Sequence, residues 1–421
     1  LPNQPSLITK PTAILLFLLC FAYSLTSGVF NTGSANHIDG RYIYIAGSTW
    51  LKGESPYRFT SFSDTWKEEM RLEPEAWQRQ INEGQGAFFY PPTMGVIAIP
   101  TALLSWKMAR HAFDMLNILC LLLICFFSGQ IVKSHLSLNH CDSRIWVGMA
   151  ASCLMSAVPE TIFTGQTPLI ALAGCLGALY FLQRQQLIIG ALCIVIASIK
   201  PQLSILPVLF LLISARSWLF FGWSSLFVSM ASLGVFMLGG DYNPLSIIEN
   251  AANTHASLKP NDPSNTPGIY WLFTLLGVPP AINVSAPITG TLTITALAFW
   301  SAKHRIVMRR DTQALLFVIA TPFAASNVLM PLHSYDYVSA LFPVVVIAAI
   351  SQQRTWLIFI PSFLLIARPD NIAHAIHVIF QNQWMGITIN SVMIESLGAI
   401  GLLAAISGIA FRQRDALRSI S

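Results

Sequence analysis

The stretch "NHIDGRYIYIAGSTWLKGESPYRF", Asn36 to Phe59, comes shortly after an apolar run from Thr12 to Phe30. It sets an acid, Asp39, and a Lys-Gly-Glu-Ser-Pro-Tyr turn just past the end of that run. What the boundary means depends on the rest of the chain. Of 421 residues, 54% are hydrophobic and 10% charged, and the mean hydropathy is +0.59. Soluble domains carry about 25% charged residues, so this composition specifies an integral membrane protein. At about 20 residues per crossing the length accommodates about ten to thirteen spans. The net charge of +5 comes from short basic clusters between apolar runs, the pattern of cytoplasmic loops facing anionic lipid. No nucleic-acid partner is expected.

Apolar runs place candidate spans at roughly 12–30, 88–106, 112–132, 146–163, 167–182, 187–214, 218–238, 281–302, 312–330, 338–350, 355–367 and 391–411. The expected fold is therefore all-α and polytopic, about 12 transmembrane helices in one domain spanning 1–421, with no internal repeat. Several runs are short or interrupted by Pro159, Pro201, Pro207 and Pro361, which is tolerated where helices line a protein-walled cavity. The first run has no persuasive cleavage pattern after it and reads as a retained span. Cys20, Cys120, Cys125, Cys153, Cys175 and Cys193 lie inside apolar runs, and Cys141 lies in a polar loop. They read as packing residues, not a disulfide framework.

Basic clusters at Lys107–Arg110–His111, Arg216, Lys303–Arg310, Arg354 and Arg412–Arg418 are mutually consistent with two cytoplasmic termini. Segments 31–87, 239–280, 331–337 and 368–390 then face outward. The middle admits two arrangements. Gln166 and Lys200 reach the outer face if 146–163 fails to cross fully and 187–214 is a hairpin of two short helices. With one ordinary span each, Gln166 lies inside and Lys200 in mid-membrane. The loop 31–87 stands apart, with eight of the nineteen acids and three of the eleven tryptophans. Its Trp66, Met70, Trp77 and Ile81 make one apolar stripe opposite a charged face, and Pro74 opens a second short helix. That pattern suits an amphipathic helix lying on the bilayer surface; the competing arrangement is a small cap packed on itself.

Asp39 has Tyr42, Ile43 and Ala46 on the same helical side. An outer-face acid against a membrane wall loses part of its hydration, which raises its pKa toward that of a working general base. A solvated loop acid or a helix N-cap would look the same. Five segments in order narrow the choice: "HIDGRYIYIAGSTWLKGESPYRF", "GAFFYPPTMGVIAIP" from Gly86, "TGQTPLIALAGCLGAL" from Thr164, "ASIKPQLSILPVLFLL" from Ala197 and "PLHSYDYVSALFP" from Pro331. Together they resemble the glycosyltransferases of family 87, whose pattern is an Asp after the first span, a Gly-x-x-Pro-Tyr turn, and Tyr-Pro-Pro entering the second span. Here these are Asp39, Gly53 to Tyr57, and Tyr90-Pro91-Pro92. From Val345 onward only hydropathy matches.

The resemblance implies a GT-C-type enzyme that takes a sugar, often mannose, from a polyprenyl-phosphate donor to a lipid or glycan acceptor on the extracytoplasmic side of a bacterial inner or plasma membrane. It also implies Asp39 as catalytic base, with His333 near it. The chemistry of the residues is compatible with that. Inverting transfer needs one base, and Asp39 has no partner acid close in sequence for the retaining route. The segment reads Asp39-Gly40-Arg41 and so lacks the second acid that a hard cation wants; no metal and no cofactor are expected. Arg41 is a candidate for the leaving phosphate or simply a loop arginine. Lys200, in or near hydrocarbon at a cost of about 2.5–3.5 kcal/mol, needs compensation that a lipid phosphate could supply, unless it snorkels to an interface. Gln166 either binds sugar or caps a half-helix. His333 and Asp336, with Tyr337 beside them, either orient substrate or share a structural hydrogen bond. Tyr57 belongs to the turn, and Tyr90 sits at the water boundary as ligand or interfacial aromatic. Asp370, His374 and His377 read as a polar turn, and Glu160 and Glu395 have no assigned role.

A secondary transporter or flippase is the alternative from a different class. Its interruptions would fall in two matching halves near the midplane, whereas Asp39 and His333 fall at the outer boundary. A polymerase or ligase of surface polysaccharide would carry its large loop late in the chain.

Overall fold

Pro11 sits in the first turn of α1 (Lys10–Val29), where its missing N–H costs nothing. Helices α2 (Ile38–Leu51) and α3 (Phe59–Leu72) follow. A 3₁₀ turn, Pro92–Met94, runs into α4 (Gly95–Ala102), and then come α5 (Trp106–Leu136), α6 (Ser143–Cys153), α7 (Ala157–Thr164) and α8 (Pro168–Leu182). Next are α9 (Leu187–Ala197), α10 (Pro201–Ser214), α11 (Trp218–Gly239), α12 (Ile269–Leu275), α13 (Ser285–Lys303) and α14 (Gln313–Leu329). A 3₁₀ segment, Ser334–Ala340, precedes α15 (Leu341–Ile350), α16 (Gln353–Ala367), α17 (Pro369–Phe380) and α18 (Ser391–Arg412). Strands β1 (Gln383–Trp384) and β2 (Ile387–Thr388) form a two-residue antiparallel pair between α17 and α18. The computed structural model describes residues 8–31, 37–72, 88–136, 142–240, 243, 245, 249, 266–279, 285–308, 313–350, 353–380, 383–384, 387–388 and 390–412.

Among the described residues four helices are long and apolar enough to cross a bilayer: α1, α5, α11 and the 391–408 part of α18. Helices α6 and α7 join into a fifth such segment, bent by 50°. The other apolar helices have 10–17 residues. At 1.5 Å per residue these reach about 15–25 Å, short of the roughly 30 Å hydrocarbon core, so their ends must be lined by protein. Leu15, Leu18 and Leu19 on α1, Met230, Leu233 and Met237 on α11, and Leu292 and Phe299 on α13 face outward. By contrast α8 is buried on every side from Pro168 to Leu179 and forms the interior of the bundle. The cysteines in apolar runs are buried or nearly so and unpaired by disulfide, consistent with a packing role; Cys141 lies outside the described residues.

Two sequence expectations are corrected, and for 187–214, open between one span and a hairpin, the helices take the second form. The expected span 88–106 is an eight-residue helix, α4, with Pro100 inside it and a 3₁₀ turn before it. It lies along α2, where Gly47 has no side chain and so lets the two backbones touch at Ala98, and Tyr44 donates to the Leu104 carbonyl at 3.1 Å. The run 187–214 is two helices. Gly190 near the start of α9 lies against Phe220, just past the end of α10, so the pair folds back on itself with Lys200 at the turn. Finally, α3 does not turn its tryptophan to lipid: Trp66 is buried, with its ring 5.1 Å from Tyr42 of α2. The charged face of α3 meets α2 through Lys52 and Glu68 at 2.6 Å. The outer loop is, in its first half, a cap packed on itself. Pro74, Trp77 and Ile81 lie outside the described residues.

Candidate active site

Four turns and loops meet at one end of the bundle. Gly165 closes α7 in the left-handed conformation (φ 69°), and Gln166 follows before Pro168 opens α8. The Gln166 side-chain oxygen accepts from the Lys200 ammonium at 2.9 Å and from the Tyr90 hydroxyl at 3.3 Å. Lys200 also pairs with Asp336 at 2.7 Å and lies 4.5 Å from the centre of the Tyr335 ring. Both members of that pair are sealed from solvent, at 1% and 0% exposure. The other carboxylate oxygen of Asp336 accepts from the His333 backbone N–H at 3.1 Å, fixing the start of the 3₁₀ segment. Thr93 donates to the Ser198 carbonyl (3.1 Å) and Thr161 to that of Tyr335 (3.2 Å), tying the same segments together.

Tyr90, Gln166, Lys200, His333 and Asp336, singled out in four separate sequence segments, thus converge on one polar node. The compensation that Lys200 needs comes from within the protein, through Asp336. Asp39 lies half-buried in the first turn of α2, next to Gly40, which packs against Gly165 at the α7–α8 junction, and its charge acts on Tyr90, Tyr335 and Glu160. Burial, with the Asp39 charge second, pushes the Tyr90 phenol well above its usual range, so Tyr90 donates and does not ionise. The Arg41 guanidinium lies 5.4 Å from the Trp106 ring centre, and its charge acts on His37. Two expected ligands have structural partners. Tyr57 is buried and donates to the Tyr90 carbonyl at 2.9 Å, holding that segment in place. Tyr337 donates to the Asn327 carbonyl at 3.2 Å on α14.

The sequence reading passed over several partners. His37, whose left-handed backbone (φ 54°) caps α2, lies 3.1 Å from Asp114 of α5. Burial holds the His37 pKa below its ordinary value, and the nearby Asp114 carboxylate only partly offsets that. Asn117, one turn along α5, donates to the Gln166 backbone carbonyl at 3.1 Å. Glu160 accepts from the Ser334 hydroxyl at 2.9 Å. The available signal was Asp114 itself, an acid at the head of an apolar run. The same contacts overturn the placing of Lys107, Arg110 and His111 on the opposite face from Asp39: Arg110 acts on His37, and His111 lies 3.9 Å from Asp114. Among the described residues no three His, Cys, Asp or Glu side chains are grouped to ligate a metal. The arrangement offers two half-buried carboxylates, Asp39 and the Ser334-bonded Glu160, a set of buried donors, and two guanidiniums, Arg41 and Arg110, both close enough to act on His37.

A family model described as Glycosyltransferase family 87 matches residues 88–331, more than half of the chain. The matched stretch contains Tyr90, Gln166 and Lys200; Asp39 precedes it and His333 follows it. No curated protein matches the chain.

Proposed function

The chain belongs to glycosyltransferase family 87 and is a glycosyltransferase, and from that premise we propose that it moves a hexose, mannose in preference, from a polyprenyl-phosphate donor to a lipid or glycan hydroxyl. The reaction runs with inversion on the extracytoplasmic face. Asp39 takes the acceptor proton as the acceptor oxygen bonds to the anomeric carbon. The bond from that carbon to the phosphate oxygen breaks on the opposite side, and the polyprenyl phosphate leaves with its electron pair. A phosphate leaving group needs no proton but needs fixed positive charge as its own charge grows. We assign that to Arg41 with Arg110, since Lys200 is already matched by Asp336 and serves as the floor of the site. Tyr90, Gln166 and His333 border the sugar, and Tyr57, Asp336 and Tyr337 hold them in place.

The observation that carries this reading is the convergence of Tyr90, Gln166, Lys200 and Asp336 beside Asp39 at one end of the bundle. A transporter would gather such groups near its midplane. Support for the extracytoplasmic placement comes from the other end, where Gln183 meets His135 at 3.1 Å, where Lys133 and Arg184 are close by in the chain, and where Arg216 follows α10. In this GT-C arrangement the crossings are α1, α5, α6 with α7, α8, α9, α10, α11, α13, α14, α15, α16 and α18. That makes about 12, with 187–214 supplying two and 88–106 none. The test is to incubate purified protein with polyprenyl-phosphate sugar and acceptor and follow release of the lipid phosphate. Asp39→Asn should lower kcat by about 10²–10⁴-fold, the usual worth of a general base, with donor binding retained. Unchanged turnover would remove Asp39 from the role.

A further inference from the structure

A histidine and an aspartate buried together need a reason. His37 and Asp114 are both buried, 3.1 Å apart, and lie 77 positions from each other in the chain. Asp114 belongs to α5, a membrane-length helix, where an acid costs about 2.5–3.5 kcal/mol at full depth. His37 belongs to the turn that begins α2, two residues before Asp39. A plain packing contact at this point would be served as well by two apolar side chains, without the cost of burying a carboxylate. What the polar pair adds is direction: a 3.1 Å contact between one ring nitrogen and one carboxylate oxygen singles out one azimuth of the ring, and hence of the turn that carries it.

The rest of that turn is held from two other sides. The His37 N–H donates to the Phe163 carbonyl at 2.7 Å. Gly40 lies against Gly165, where a Cβ would come within 2.9 Å of His37 Nδ1 and 3.1 Å of Gly40 Cα. The first turn of α2 is thus clamped between α5 and the α7–α8 junction. The α5 side of the clamp also reaches Gln166 through Asn117. One rigid frame therefore positions both Asp39 and the polar node.

We propose that His37 and Asp114 form a positioning pair that sets the Asp39 carboxylate against the acceptor hydroxyl. Neither touches substrate; they act through the backbone of the α2 turn. The assignment rests on Asp39 being the acid that takes the proton. Misplacing a catalytic group by about 1 Å costs about 10²-fold in rate, and that is the size of effect at stake.

The experiment compares Asp114→Leu with Asp114→Asn in the full-length enzyme, with kcat expressed per donor-binding-competent molecule. Asp114→Leu removes the carboxylate that meets the His37 ring and should lower kcat by about 100-fold while the donor KM stays within about threefold. Asp114→Asn keeps an acceptor oxygen in the same place and should recover kcat to within about tenfold of wild type. A merely structural role would reduce the competent fraction and leave kcat per competent molecule unchanged; that result overturns the proposal. Equal losses in both variants overturn it as well, since charge and not orientation would then be at work. Should Asp114→Leu fail to fold, His37→Gln against His37→Phe asks the same question, because only Gln carries an N–H toward Asp114. Turnover that survives Asp39→Asn sinks the underlying reading; turnover that dies with Asp39→Asn but survives Asp114→Leu sinks the pair alone.

Discussion

A lysine with 1% of its surface exposed, paired at 2.7 Å with a fully buried aspartate, is stable only as a pair. Taking either charge out of water costs several kcal/mol, and only the partner and the surrounding donors repay it. Lys200→Met should therefore destabilise the protein by about 3–5 kcal/mol, because Asp336 is left as a buried, uncompensated charge. Asp336→Asn should do the same to Lys200 while keeping an acceptor for the His333 N–H. The double variant should be more stable than the sum of the single losses implies, a coupling that unfolding titrations in detergent can read directly. Strict additivity would mean the two charges do not depend on each other. Lys200 was legible in the sequence because a charge is expensive in an apolar run and stands out there; Tyr90, Gln166 and Asp336 were legible because they lie in the segments that resemble family 87. What the sequence could not disclose was their pairing. Asp336 meets Lys200 across 136 positions, and no local spacing encodes that contact. It withheld His37 for the opposite reason, since a histidine in a polar loop costs nothing until the fold buries it.

Hydropathy judges an element by its length and greasiness, and both 88–106, misread as a span, and 187–214, left open between one span and two helices, satisfied it. Residues 88–106 are apolar enough, yet Pro91 and Pro92 allow only a 3₁₀ entry, and α4 ends by Ala102. Residues 187–214 are apolar enough for one span but carry Lys200-Pro201 at the middle, and a charged residue before a proline is a place to turn. The α7–α8 junction shows how such turns are held. Gly165 combines a φ of 69° with close approach to α2. Gly165→Ala should cost about 1–3 kcal/mol in backbone strain and push the α2 turn away, since the new methyl would crowd His37 and Gly40. The expected outcome is a lower melting temperature together with a kcat loss larger than the change in folded fraction explains. A variant with lowered stability and intact kcat would show that the turn and Asp39 are decoupled.

At the scale of the whole molecule the basic residues seem to offer two contradictory sets of directions, and only the fold separates them. In the proposed orientation Lys133, Arg184 and Arg216 follow the usual bias toward the cytoplasm. Lys107 and Arg110 look the same in sequence, but the pairing of His37 with Asp114 brings the start of α5 to the end that holds Asp39. In that orientation cations are kept there against the bias, and the proposed phosphate-bearing donor would give positive charge a use at that surface. The two ends can be told apart by cysteine substitution. Ser105, between α4 and α5, and Arg184, after α8, are both exposed. A membrane-impermeant maleimide added to intact cells should label Ser105→Cys above the wild-type background and leave Arg184→Cys unlabelled until the membrane is opened. The reverse pattern would turn the molecule over and move the sugar transfer to the cytoplasmic side. Labelling of both from outside would mean that α5 and the helices after it do not carry the chain across as their contacts require.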